Sequence, residues 1–332
     1  MNIPFGNAPL YPGRVCRVFN AMALLCVGLS VGRCSIFPED PVWDTSIPES
    51  AAIDANLGTW DPTGTRIYFQ YSDMASDGSG PRDFLWAVDL QENRLTSVFD
   101  APVLNIDVSP DGRHILFHSP TLPQYLYTYD QVDHSLIRLS GESSSNLELE
   151  NTVAGRWSPT GSSILFTIEA GEPRGVAVMN RDGTGARIIV PYGVNASWYP
   201  DGQKIVYVNW DLTERDETRS RQIYVCNPDG TGIQRLTYLD NSDAISVPTV
   251  SPDGNRIAFV HLKNGESLEL YLMNIDGTDI RQITEGPGYV DRPEWHPDGS
   301  RLLFTRVIPN VSNRMYVVEA TSYEVEPVFP LD

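Results

Sequence analysis

One ten-residue pattern recurs six times along the chain and constrains its fold more than any other feature. Trp60–Phe69 reads WDPTGTRIYF, Val108–Phe117 VSPDGRHILF and Trp157–Phe166 WSPTGSSILF; Trp198–Tyr207 reads WYPDGQKIVY, Val250–Phe259 VSPDGNRIAF and Trp295–Phe304 WHPDGSRLLF. Pro presets φ at the second position of a turn, Asp or Thr suits the third, and Gly takes the left-handed conformation that closes a tight hairpin. The aliphatic and aromatic residues that follow alternate, as in Ile67 and Phe69 or Leu302 and Phe304, which puts both on one face of a strand. Each copy is therefore a strand, a turn and a second strand.

A second hairpin follows every copy, over Leu85–Phe99, Leu126–Ser140, Val176–Val190, Ile223–Thr237, Leu270–Thr284 and Met315–Phe329. Three of these turn through NRDGTG, NPDGTG and NIDGTD, starting at Asn180, Asn227 and Asn274. Each repeat thus holds four strands, and the Pro positions 62, 110, 159, 200, 252 and 297 lie 47 residues apart on average. Four strands at a period in the forties make a propeller blade. The expectation is an all-β, six-bladed propeller over residues 51–332, with no second domain. The first repeat opens on an inner strand and the last ends on an outer one, so packing of blade one on blade six is expected to close the ring. An added edge strand from Val42 to Ile47 on the last blade is the less favoured arrangement.

These decapeptides, with the LYLMNIDGTDIRQIT segment that follows the fifth, resemble the TolB-type propeller, also called the WD40-like or tricorn-type repeat. The resemblance implies the fold strongly and the function weakly, because this architecture serves scaffolds, sensors and enzyme-associated domains alike. Proteins of the TolB type carry an α/β domain before the propeller. Here 16 residues, Ser35–Ser50, separate Cys34 from the first blade and read as a linker.

Charge narrows the partners. With 43 acidic and 24 basic residues the formal charge is −19, a field that repels phosphate backbones and anionic lipid, so neither nucleic acid nor a membrane surface is expected as a partner. Residues 1–34 contain no acid, carry Arg14, Arg17 and Arg33, and include the apolar run AMALLCVGLSV before Cys34, the layout of an export signal. Cys34 resembles the lipidated cysteine of bacterial lipoproteins, although Arg33 stands where a small residue is usual. A periplasmic or surface protein, tethered to the membrane only through that anchor and working as a monomer, is the expectation. Cys226 alone remains outside the leader, so there is no disulfide framework.

Candidate chemistry is sparse. GLSVG at Gly28–Gly32 matches a nucleophile elbow but lies inside the export signal. The Asn and Asp of the three DGT turns offer oxygens two residues apart but lack a calcium loop's remaining ligands, so a turn role is preferred to a metal site. The five His are scattered, the Trp residues of the repeats are expected to pack between blades, and Cys226 is expected to be a buried hydrophobe. No catalytic residue, metal or cofactor is assigned.

Binding is expected at the channel mouth, through the residues entering the inner strands: Asn56, Asn105, Asp107, Arg156, Asn195, Asp291, Arg292 and Glu294. Two longer connections on that rim, Tyr71–Asp83 and Asp211–Arg221, add candidate contact surface. The partner is expected to be a protein or a cell-wall or glycan fragment. Two rivals are carried: a propeller lyase or glycosidase using acids among Asp107, Asp291 and Glu294, and an accessory propeller serving a separate peptidase.

Overall fold

The structure, a computed structural model, describes residues 44–46, 55–74, 81–99, 101–119, 124–140, 149, 151–169, 173–210, 221–239, 244–262, 267–308 and 313–329, all within one compact unit spanning Phe37–Asp332. The expected export signal with Cys34, most of the expected linker, and the centres of the two long connections lie outside these residues.

Six antiparallel sheets, each built on four consecutive strands, form the blades in the expected order, and no helix occurs among the described residues. The inner strands are Ala55–Trp60, Leu104–Val108, Thr152–Trp157, Val194–Trp198, Ala244–Val250 and Tyr289–Trp295. Each runs into its decapeptide turn, where the serine of blades two and five does double duty. Ser109 Oγ donates to Asp111 at 2.5 Å and accepts from the His114 amide at 2.8 Å, and Ser251 repeats this with Asp253 and Arg256. The DGT turns are satisfied internally as well. Asp182, Asp229 and Asp276 each accept the amide and hydroxyl of the Thr two residues on, at 2.6 to 3.0 Å, which is the turn role rather than a metal site.

The core is divided among the seams between blades. Six buried clusters each combine side chains of two neighbouring blades, as when Val206 and Val208 of blade four meet Ile257 and Phe259 of blade five. No sheet can bury both faces alone, so closing the ring is what removes the last two from water. That closure is the expected one: Trp60, Ile67 and Phe69 of blade one pack with Leu303, Met315 and Phe329 of blade six. Cys226 is buried within the seam of blades three and four, and burial pushes its thiol up to about 11.

The less favoured edge strand on the last blade does not form, but one does form on blade one. Asp44–Ser46 pairs with Arg94–Thr96 in the outer strand of blade one, making that sheet five-stranded, and does not touch the last blade's edge. Blade one's outer strand, Arg94–Phe99, has six residues, whereas that of blade six, Val325–Pro327, has three and ends in a proline that lacks an amide proton.

Candidate functional site

The channel is lined by the inner strands, and all six carry a β-bulge at one repeat position. The register shifts fall between Asn56 and Thr59, Leu104 and Asp107, Val153 and Arg156, Val194 and Ser197, Ser246 and Thr249, and Asp291 and Glu294. Within each bulge one non-glycine residue takes a positive φ of 48 to 56°: Leu57, Asn105, Ala154, Asn195, Val247 and Arg292. This conformation is costly for residues with a Cβ, so its sixfold recurrence marks a device that re-aims side chains at the channel.

Two residues beyond each positive-φ position stands a second ring: Thr59, Asp107, Arg156, Ser197, Thr249 and Glu294. Here Arg156 of blade three pairs with Asp107 of the neighbouring blade two at 3.5 Å and with Glu294 of blade six, the blade directly opposite. One guanidinium therefore bridges the channel. Asp107 also accepts the Trp157 amide at 2.6 Å. Burial, outweighing Arg156, pushes the Asp107 carboxyl up to about 6. Burial also opposes the charge of Arg156, yet Glu294 and Asp107 hold its guanidinium above the ordinary value.

This bridge faces a pocket of about 200 Å³ walled by Pro110, Trp157, Ser158, Pro159 and Trp198, residues of and beside the decapeptide turns. The turns and the long connections lie at opposite ends of the inner strands. The eight sequence-predicted residues are thus divided along the axis: Asp107, Arg156 and Glu294 meet on the turn side, while Asn105, Asn195, Asp291 and Arg292 lie nearer the loop side. The backbone of Asn56 pairs with Gln70; its side chain lies outside the described set.

Arg292 reaches the same neighbourhood. Burial, then the charge of Arg156, push its guanidinium down to about 10, with Asp291, Glu294 and Asp107 acting in the other direction, and it stays charged at neutral pH. Sequence reasoning missed His118, which is fully buried beside Gly155 in the seam of blades two and three, with no hydrogen bond to either ring nitrogen. Burial, with Arg292 adding, pushes it down to about 3, so it is neutral. Its position one past the decapeptide, where Thr167, Val208 and Val260 stand in other blades, was the available signal. Among the described residues no group of three or more His, Cys, Asp or Glu is placed to hold a metal ion.

No protein-family model matches the chain. Over 106 residues it is 29% identical to an uncharacterized peptidase, YuxL, of Bacillus subtilis, which covers 32% of this chain and 16% of that protein. Over 102 residues it is 30% identical to the Tol-Pal system protein TolB of Alcanivorax borkumensis, covering 31% of this chain and 22% of that one. The chain thus spans less than a quarter of either relative. The crystal structure of TolB from Acinetobacter baumannii superposes with a TM-score of 0.64 at 19% identity, over 80% of this chain and 63% of that one. The likeness is that of a TolB-like six-bladed propeller.

Proposed function

We propose that this propeller is an exported, lipid-tethered binding module that recognises a protein partner through its channel and loop rim, a cell-wall or glycan fragment being the alternative occupant. The observation that carries the reading is the Arg156 bridge. The two acids brought together in the channel are both held on one guanidinium, so neither is presented to a substrate as a free base or nucleophile. What remains facing the loop side is a set of hydrogen-bonding groups on a rigid scaffold, which suits recognition.

The test is affinity capture from envelope extract with the full chain and with two loop-shortened forms. Tyr71–Asp83 and Asp211–Arg221 connect antiparallel neighbours, so a two-residue turn can replace the middle of each without breaking the sheet. Specific capture that is lost on shortening supports the rim; capture indifferent to both deletions and to Arg156→Ala refutes it.

A catalytic reading is favoured by one observation: Asp107 and Glu294 share a guanidinium and so lie within the roughly 10 Å that a carboxylate pair needs, and the raised Asp107 carboxyl is a plausible proton donor. Turnover of an acidic or neutral oligosaccharide that disappears in Asp107→Asn would favour it. The partial likeness to a peptidase supports an accessory role, which predicts a hydrolase among the captured proteins.

A further inference from the structure

The positive-φ ring has a pattern that repeat geometry alone does not require. Going round the channel it reads Leu57, Asn105, Ala154, Asn195, Val247, Arg292, so polar side chains stand on blades two, four and six and apolar ones on blades one, three and five. All six residues share one repeat position and one backbone conformation, which places the three polar residues on three sides of the channel at the same level. Arg292 is near enough to the centre of the ring to feel the charges of Asp107 and Arg156 on other blades.

None of the three makes a hydrogen bond or ion pair among the described residues, although each is half-buried. A guanidinium carries five donors and no acceptor, and each carboxamide carries two donors and one acceptor, so the ring is rich in unused donors. Donors left without a protein partner in a half-buried channel are available to an oxyanion, the group they fit. Asp291, Glu294 and Asp107 act on Arg292 through their charge, yet none forms an ion pair with it; the contacts of Asp107 and Glu294 go to Arg156. Fully buried His118, also without a hydrogen-bond partner, adds a polar group in the adjacent seam.

From this geometry we infer that Arg292, Asn105 and Asn195 form a receptor for a single carboxylate of a ligand entering the channel from the loop rim. A carboxylate suits the site better than a phosphate, because Asp291, Glu294 and Asp107 offset much of the positive charge around Arg292, which favours a monoanion over a dianion. Leu57, Ala154 and Val247 supply the apolar intervals between the donors. The inference rests on the binding reading above and names the group bound.

Calorimetric titration of the full-length protein with acetate, glucuronate, a free-acid tripeptide and the same tripeptide amidated tests it. Carboxylate probes are expected to bind and the amide to fail, with affinity falling by roughly tenfold or more in Arg292→Gln. Smaller losses are expected in Asn105→Leu and Asn195→Leu, with partial recovery in Arg292→Lys. Tighter binding of glucuronate assigns the carboxylate to an acidic sugar, and tighter binding of the tripeptide acid assigns it to a peptide. Unchanged urea midpoints exclude misfolding, and the Asn195→Leu form serves if Arg292→Gln fails to fold. Equal binding of acid and amide, equal affinity in Arg292→Gln, or no carboxylate binding overturns the site. If that happens while partner capture persists, the inference falls and the binding reading stands; lost capture with intact carboxylate binding does the reverse.

Discussion

His296 Nε2 lies 3.1 Å from the carbonyl oxygen of Gly64, a residue 232 positions earlier in the chain. A carbonyl only accepts, so the ring nitrogen is the donor. The same imidazole meets Trp60 edge-on at 4.6 Å. In blades two, three and five a serine holds this turn position; in blade six a histidine reaches over the seam onto blade one. Removing it with His296→Ala is expected to cost about 1–3 kcal/mol, from the lost hydrogen bond and the cavity beside Trp60. Urea unfolding checks this. Gly64→Ala is expected to be at least as harmful: φ is +71°, and the new methyl would collide with His296 Nε2.

A second seam depends on a buried ion pair. Arg306 of blade six donates to both carboxylate oxygens of Glu269 in blade five, at 2.9 and 3.4 Å, and Thr284 donates to the same carboxylate at 2.6 Å. Arg306→Met leaves that carboxylate buried without its cation, and about 3–5 kcal/mol of stability should be lost. The double change Arg306→Met with Glu269→Leu should recover most of it. A double-mutant cycle from denaturation curves measures both.

Asp107 sets a pH dependence of definite sign. Its carboxyl rises from the ordinary 3.8 to about 6 in the folded protein, so between those values the folded state holds more protons than the unfolded one. Stability from this group is therefore full below about pH 4 and falls as pH rises to about 6, by up to about 3 kcal/mol. Asp107→Asn should remove that slope, so its stability relative to the wild type should rise over this window and level off above it. Denaturant midpoints of the two proteins, measured in parallel across the range, decide the matter.

Cys226 should be unreactive in the native state. Its thiol is buried between blades and raised to about 11 by burial, so little thiolate forms and no reagent reaches it. Mass mapping after brief alkylation should find Cys226 unmodified in buffer and modified in denaturant. Labelling in buffer would show that this seam opens.

Cys34 is proposed as the site of lipidation. Expression in a bacterial host with radiolabelled palmitate should give a labelled band that disappears in Cys34→Ala. A wild-type protein that stays unlabelled while being exported would leave an ordinary cleaved signal in its place.

The repeat made most of the fold legible in advance. Pro62, Gly64, Ile67 and Phe69 with their five sets of equivalents act locally, through turn geometry and period-two burial, and their recurrence was enough to count blades and strands. The candidate site was legible only as a set of positions. Asn105, Asp107, Arg156, Asn195, Asp291, Arg292 and Glu294 could be named, but not their division along the axis or the pairing of Arg156 with an acid on the opposite blade. The alternation of polar and apolar residues in the positive-φ ring was present in the aligned repeats and went unread, because bulge conformation decides which column faces the channel.

By itself, then, the sequence determined the architecture: all-β, with six four-stranded blades. Only the tertiary structure decided that His296 seals the seam, that Asp44–Ser46 extends blade one, and that Arg156 spans the channel. The reason is physical. Turns and strand faces are set by residues a few positions apart, whereas these contacts join residues dozens to hundreds of positions apart, whose approach depends on the curvature and closure of the whole ring.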